Sequence, residues 1–527
     1  MSSTTADAMV MTTDAGERID PRRLLAFLAM CFGMFMALLD IQVVSASLTE
    51  IQAGLAASSD EISWVQTSYL VAEVVAIPLS GFLSRALGTR ILFAASAAGF
   101  TLASLMCGFT SSMNEMIFWR AVQGFIGGGM VPTVFASIYT IFPRSRQAMM
   151  IPIVGLVATL APTVGPTVGG YLTDALSWHW LFFINIGPGI AVTGLALALI
   201  DFDKPDLSLF KHFDWWGLGF MAVFLGGLEY VLEEGPRWDW FDDQTIATLA
   251  VISALSAAAF FIRALMARAP IVDLKAFANR NFALGSLFSF VLGIGLYGLT
   301  YLFPVYLEEI RGYNALMVGE TMFVSGAAMF LSAPVVGKLV TKLDPRLLMM
   351  AGFFIFAAGS WQMTYVTKDW DFSELLWPQI FRGVGMMLAI VPITNLALGT
   401  LAPERVKNAS ALFNLARNLG GAVGLAALNT VLDHRIDLHL ARLHEAVTWG
   451  RQPAQEMLTN LTAHFQDFGS DAHTMALRQL MLLVRQQGIV MAFADVFLML
   501  AVLFAAFGVL AVVMRRPAAL SAAAAGH

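Results

Sequence analysis

Charge is what this chain has least of. Only 13% of its 527 residues are Asp, Glu, Lys or Arg, while 58% are hydrophobic. Soluble chains carry about 25% charged and roughly 45–50% apolar residues. A water-facing globule cannot hide that much apolar surface, and a mean hydropathy of +0.71 puts the excess against lipid. Cysteine is almost absent. Cys31 and Cys107 both sit in apolar runs, which argues against a disulfide framework and a cysteine-based metal site. A phosphate-binding loop is missing as well, since Gly337-Lys338 is followed by Leu339 where Ser or Thr is needed, and this disfavours an ATP-driven pump with a fused nucleotide domain. No paired carboxylates, nucleophile–base spacing or metal-ligand cluster appears, so an enzyme is the least favoured class and no cofactor or nucleic-acid partner is implied. The net charge of -6 decides little, because its distribution matters more than its sum.

What is present is a series of long apolar runs. Residues 1–21 are polar and read as a disordered cytoplasmic segment; Arg22 and Arg23 then open the run Leu24–Leu48. That run far exceeds the roughly 7–15-residue core of a signal peptide, so it is expected to stay as a first span. A span needs roughly 20 apolar residues. Spans are predicted near 24–48, 62–84, 91–110, 114–141, 149–172, 180–200 and 215–232, then near 245–266, 282–307, 315–338, 347–366, 374–400, 408–431 and 488–513. With the N-terminus inside, the inner segments hold Arg18, Arg22, Arg23, Arg85, Arg90, Arg144, Arg146, Lys204, Lys211, Arg268, Lys275, Arg280, Lys342, Arg346, Arg405, Lys407, Arg515 and Arg516. The short outer loops hold only Arg237, Arg311 and Lys368. The excess of Lys and Arg on one side orients the chain with both ends in the cytoplasm.

One outer segment differs. Residues 432–487 form a long polar stretch between the last two spans, where Leu438, Leu440, Leu443, Leu480, Leu482 and Leu483 suggest short amphipathic helices. His434, His439, His444, His464 and His473 also fall there, and solvated surface is favoured over a metal site.

The sequence repeats itself. Gly81–Arg90 at the inner end of the second span shares its glycine, two leucines and terminal arginine with Gly337–Arg346 after the tenth. Arg120-x-x-Gln123-Gly124 with Pro132 is echoed by Gln379-x-x-Arg382-Gly383 with Pro392, the polar pair being exchanged. These echoes predict an all-α membrane protein of two six-helix bundles, residues 22–200 and 282–514, with a two-helix insert and its linkers at 201–281 and a cytoplasmic tail at 515–527. Such repeats place a substrate site near the midplane between the halves, reached by rocking.

The same residues resemble the major facilitator superfamily, and within it the fourteen-span drug:proton antiporters of the EmrB/QacA type. The likeness covers residues 24–432 well and the final span more loosely. Arg120-Ala121-Val122-Gln123-Gly124 resembles the fourth-span motif R-x-x-Q-G. Ala161–Gly170 resembles the antiporter motif G-x-x-x-G-P-x-x-G-G, with Ala161 at its first glycine. Trp178–Asn185 resembles W-R-W-x-F-x-x-N, with His179 for arginine. Two departures stand out. Arg85 occupies the usual aspartate position of the Gly81–Arg90 motif, and Leu39–Ala46 keeps the aspartate of L-D-x-T-x-x-N while placing Gln42 and Ser45 at the threonine and asparagine positions. The resemblance implies a secondary exporter of hydrophobic or amphipathic compounds, driven by the proton gradient across the inner (cytoplasmic) membrane. The long outer segment suggests a periplasmic adaptor protein and, through it, an outer-membrane channel. Rival readings are a specific metabolite facilitator or symporter on the same fold, and a membrane sensor or scaffold that transports nothing.

Ionisable groups in lipid cost at least ~2.5–3.5 kcal/mol each on insertion scales, so each is a functional candidate. Asp40 and Arg120 come out roughly 12 and 9 Å below the outer surface at a rise of about 1.5 Å per residue, level enough to pair across a central cavity. A purely structural pair is the alternative. Glu73, roughly 16 Å deep with no basic residue within a turn, is expected to load and release a proton; hydrogen bonding to a neighbouring helix is the plainer reading. Gln123, Asn395, Asn414 and Arg417 are polar candidates for the central path. Pro162, Gly165, Pro166, Gly169 and Gly170 predict a kinked, tightly packed fifth span that seals the outer side and limits proton leak. Glu229, Glu320 and Asp495 lie near outer ends, where snorkelling is cheap, and are given no role.

Overall fold

The computed structural model describes residues 20–58, 61–267 and 270–514, and the regular structure among them is helical throughout. The N-terminal segment with Arg18, the inner Arg268 and the tail with Arg515 and Arg516 lie outside these residues. Inner and outer name the two ends of the bundle as oriented by the loop charges.

Six helices form the first bundle: α1 (Pro21–Ser45), α2 (Trp64–Ala86), α3 (Thr89–Gly108), α4 (Met113–Ile141), α5 (Arg144–Ala175) and α6 (Trp180–Leu199). Two more follow, α7 (Trp215–Glu234) and α8 (Gln244–Met266). The second bundle comprises α9 (Arg280–Arg311), α10 (Ala315–Lys342), α11 (Pro345–Gln362), α12 (Phe372–Leu398), α13 (Pro403–Ala446) and α14 (Ala472–Leu510). Thirteen of these are long and apolar enough to cross a membrane. The remaining one, α5, has a shorter apolar stretch at Met149–Ala158 but lies between α4 and α6 and packs against α1 and α10, which completes fourteen. Polar side chains set the helix starts: Asp20, Asp214, Asp243, Asn279, Asn314, Asp344 and Asp371 each accept a backbone N–H of the first turn.

The repeat is visible in the packing. A Cβ on Gly124 of α4 would lie 2.3 Å from the carbonyl oxygen of Tyr69 on α2, and one on Gly383 of α12 would lie 2.3 Å from that of Ser325 on α10. The two halves therefore use the same glycine to bring the same pair of helices into backbone contact. In the fifth-span motif, Gly165 and Gly169 press α5 onto Gln42 and Val43 of α1, while Gly170 is half-buried beside them. Gly420 and Gly424 press α13 onto Phe290 and Ile294 of α9 in the matching position. Helix α5 runs unbroken from Arg144 to Ala175 past Pro166; the side chain of Pro162 lies outside the described residues.

The insert does not float in lipid. Helices α7 and α8 pack on each other, and α7 also rests on α2 and α13, one from each half. Thr67 Oγ1 donates to Glu234 Oε1 at 3.0 Å, Trp64 and Tyr230 rings meet at 5.2 Å, and beyond the helix end Trp240 Nε1 donates to Thr430 Oγ1 at 2.9 Å. The polar segment 432–487 corrects the expectation of a loop with short helices. Helix α13 runs on to Ala446 and α14 begins already at Ala472, with the helix Gln452–His464 and the short 3-10 helix Gln466–Asp471 between them. No glycine or proline interrupts 425–446 or 472–487, so nothing stops the helices at the lipid boundary. His439 is not solvated surface either: it is buried where these helices meet, its Nε2 2.7 Å from Asp495 Oδ2.

Candidate functional site

Asp40 and Arg120 form a salt bridge of 2.6 Å in which both side chains are fully buried. Gln123, Asn185 and the Val65 carbonyl add to it. Asp40 Oδ1 accepts Gln123 Nε2 at 3.1 Å and Asn185 Nδ2 at 2.7 Å, while Gln123 Oε1 accepts Arg120 Nη1 at 2.8 Å. Arg120 Nε donates to the Val65 carbonyl at 3.0 Å, and the guanidinium lies 4.3 Å from the centre of the Tyr69 ring. Every one of these residues belongs to the first six helices.

This placement overturns the expectation that the pair spans the central cavity and that Gln123 lines its path. On α1 the cavity is lined by Ile41, Gln42 and Ser45. Asp40 is two residues from Gln42, about 200° round the helix at about 100° per residue, and so faces the bundle interior. Depth can be counted along a sequence but azimuth cannot, because only packing fixes which face of a helix turns inward. Asn185, the last residue of the motif Trp178–Asn185, proves to be a direct partner of the aspartate.

The cavity itself lies between the halves, from the middle of the bundle outward. Its walls are Gln42 and Ser45 of α1, Gln66 and Glu73 of α2, Glu229 and Glu233 of α7, Tyr297 and Tyr301 of α9, and Asn418 of α13. Glu73 is buried in this wall, and among the described residues it has no ion-pair partner. Tyr297 donates its hydroxyl to Asn418 Oδ1 at 3.3 Å. Asn414 and Arg417 lie on α13 just below and do not line the cavity: Arg417 Nη2 donates to Asn414 Oδ1, and its guanidinium sits 5.0 Å from the centre of the Phe135 ring of the other half. Asn395 is near the inner end of α12 and away from the cavity. Glu229, expected to snorkel, is instead 6% exposed and part of the cavity wall. Sequence alone offers one usable signal for it, the i, i+4 spacing to Glu233 on one face of a largely apolar helix.

Below the cavity the halves are joined. A Cβ on Gly81 of α2 would lie 3.0 Å from the Asn408 backbone of α13. Ser410 Oγ donates to the Pro132 carbonyl at 2.9 Å, and the Tyr139 hydroxyl to the Thr394 carbonyl at 3.1 Å. Lys407 Nζ donates to the Ser84 carbonyl at 3.2 Å and pairs with Asp203 Oδ2. Asp203 in turn accepts Thr89 N at 3.0 Å and Thr89 Oγ1 at 2.6 Å, capping α3. Where Arg85 replaces the motif's usual aspartate, an aspartate from the linker after α6 thus supplies the negative charge at the inner junction.

Comparison with known proteins agrees with this fold. The family profile described as Major Facilitator Superfamily matches residues 30–425. The chain is 39% identical over 490 residues to the colistin resistance protein EmrB of Acinetobacter baumannii, covering 93% of this chain and 96% of that one. It is 31% identical over 435 residues to the multidrug export protein EmrB of Escherichia coli, covering 82% and 85%. Among solved structures, the proton:xylose symporter XylE aligns with a TM-score of 0.57 at 12% identity, over 92% of this chain and 95% of that one, a likeness of fold alone.

Proposed function

The chain belongs to the Major Facilitator Superfamily, and on that premise we propose that it is a proton-coupled exporter of hydrophobic or amphipathic compounds. The relatives named for drug export and drug resistance support the direction of transport and the breadth of substrate. The observation that carries the coupling is Glu73: a carboxyl buried in the wall of a cavity that is sealed from the inner side, with no ion-pair partner among the described residues. In this state Glu73 takes a proton as a compound leaves. When the inner junction opens, a compound entering from the cytoplasm displaces that proton inward. The buried Asp40–Arg120–Gln123–Asn185 network makes no exchange with the cavity; it holds α1, α2, α4 and α6 as one rigid body, so that Glu73 changes sides without the bundle coming apart.

The helical extension favours a partner outside the membrane. Helix α13 has 44 residues, about 66 Å at about 1.5 Å per residue, against a bilayer core of about 30 Å. An extension of that length suits docking by a periplasmic adaptor that continues the path to an outer-membrane channel, with the transporter in the inner membrane and both termini in the cytoplasm.

Acid-loaded inside-out vesicles test the exporter. Adding substrate is expected to release protons from the lumen, and Glu73→Gln is expected to abolish the release while the protein remains folded. Wild-type vesicles that lose no protons with any of a broad set of amphipathic compounds would sink the reading.

A further inference from the structure

We propose that the inserted helix α7 is part of the substrate site, and that Glu229 and Glu233 on it, together with Glu73, make the cavity a binding site for the cationic head of an amphipathic compound. The insert otherwise reads as a spacer between two bundles. Its position argues against that: α7 closes the cavity on the side where α2 of one half faces α13 of the other.

Its three outer glutamates divide by partner. Glu234 is satisfied structurally, accepting the Thr67 hydroxyl at 3.0 Å. Glu229 and Glu233 point to the cavity, one helical turn apart on the same face. Glu229 is 6% exposed, and its Oε2 has no hydrogen-bond partner. A buried carboxylate oxygen without a donor is costly, so the site is built for a donor or a charge that arrives from outside the chain.

The rest of the wall suits a lipophilic cation. None of the lining residues is basic, and Arg417, on the same helix as Asn418, is turned away onto Asn414 and Phe135. Tyr297 and Tyr301 line the wall, where aromatic rings suit an ammonium or phosphonium group, and Leu70 and Leu425 offer apolar surface to its body. An anion of the same shape meets three carboxyl groups in a wall that presents no basic side chain. The inference rests on the exporter reading for where the cation goes next, but the binding stands without it.

Tetraphenylphosphonium and tetraphenylborate, alike in shape and opposite in charge, test it by equilibrium binding to the purified full-length protein in non-ionic detergent. The wild type is expected to bind the phosphonium at least tenfold more tightly than the borate. The double variant Glu229→Gln/Glu233→Gln is expected to lose tenfold or more in phosphonium affinity, with borate binding unchanged or improved. A wild type without the preference overturns the inference whatever the variants do, as does a double variant that keeps phosphonium affinity within twofold or loses both probes equally. The borate is therefore also the control for folding. Proton release from vesicles is a separate readout: binding selectivity without any proton-coupled transport would remove the exporter reading and leave the cation site, and the reverse result would do the opposite.

Discussion

Replacing Lys407 by methionine should open the inner end of the protein. Lys407 is the cationic link there between the two bundles, donating from α13 to the Ser84 carbonyl and to Asp203. Its side chain is 16% exposed and that of Asp203 11%, so the pair is largely sheltered from solvent. A hydrogen bond to a charged group contributes about 1.5–3 kcal/mol. The aspartate is not left bare by the change, because Thr89 still donates both its N–H and its hydroxyl to it. Most of the loss therefore falls on the state in which the bundles touch at the inner end, and little on the fold of either bundle. At about 1.4 kcal/mol per factor of ten, the ratio of open to joined states should rise roughly 10- to 150-fold. Cysteine labelling reads this well, since Cys31 and Cys107 are both buried. A Ser410→Cys probe, fully buried against Pro132 in the joined state, should react faster with a cytoplasm-side maleimide by that factor in the Lys407→Met background. Lys407→Arg, which keeps the charge, should fall between wild type and Lys407→Met. Equal labelling rates in all three backgrounds would refute the reasoning.

Asp40→Asn should leave Arg120 buried without its counter-charge and cost about 3–5 kcal/mol, read as a lower melting temperature of the detergent-solubilised protein; an unchanged melting temperature would count against a structural network. Arg382→Met should be far milder, because among the described residues that arginine has only Gln379 Oε1 at 3.3 Å and the Met322 sulfur at 3.9 Å as side-chain partners; a loss as large as that of Asp40→Asn would contradict the asymmetry between the halves. Gly124→Ala and Gly383→Ala should both destabilise, since each added methyl meets a carbonyl oxygen at 2.3 Å, and thermal unfolding of the two variants should show losses of similar size. Deleting the helix Gln452–His464 should spare proton release from inside-out vesicles while removing resistance in whole cells; resistance retained in full would exclude this tip as the adaptor contact.

Much of the architecture is legible in the sequence for a simple reason: a bilayer imposes a length on apolar runs and a sign on the loops between them, and both can be counted. The outer segment escapes such counting, which stops at the first polar residue, whereas a helix stops only where its backbone is interrupted. Residues 425–446 and 472–487 contain no breaker, so α13 and α14 continue into water. The site is legible in depth but not in direction. The cost of placing charge in lipid picks out Asp40, Glu73 and Arg120 alike, yet Asp40 and Arg120 turn into one bundle while Glu73 turns to the cavity. The burial of Glu229, unlike its spacing to Glu233, is hidden from sequence reasoning because distance from a helix end is a poor measure of solvation. Its burial comes instead from α2 and α13, which are distant in sequence and enclose it from two sides.

Duplication explains why the repeat predicts backbone geometry better than chemistry. Gly124 and Gly383 bring equivalent helices together at the same 2.3 Å, and an equivalent Arg–Gln pair follows in each half. Backbone contact of this kind tolerates no side chain, so it is held in both copies by sterics alone. The side chains around it face no such constraint. In the first half the arginine meets Asp40 and Gln123, with Asn185 holding the aspartate from behind, and becomes a buried ionic lock; in the second it meets a methionine sulfur and a glutamine. The inner junction follows the same logic, since Asp203 enters from a linker outside the repeat to supply the charge that Arg85 cannot. Two bundles alike in shape can thus share one hinge geometry while differing in charge: among the described residues the first locks its buried arginine with a carboxylate, the second gives its arginine none, and the cavity between them is walled by Glu73, Glu229 and Glu233.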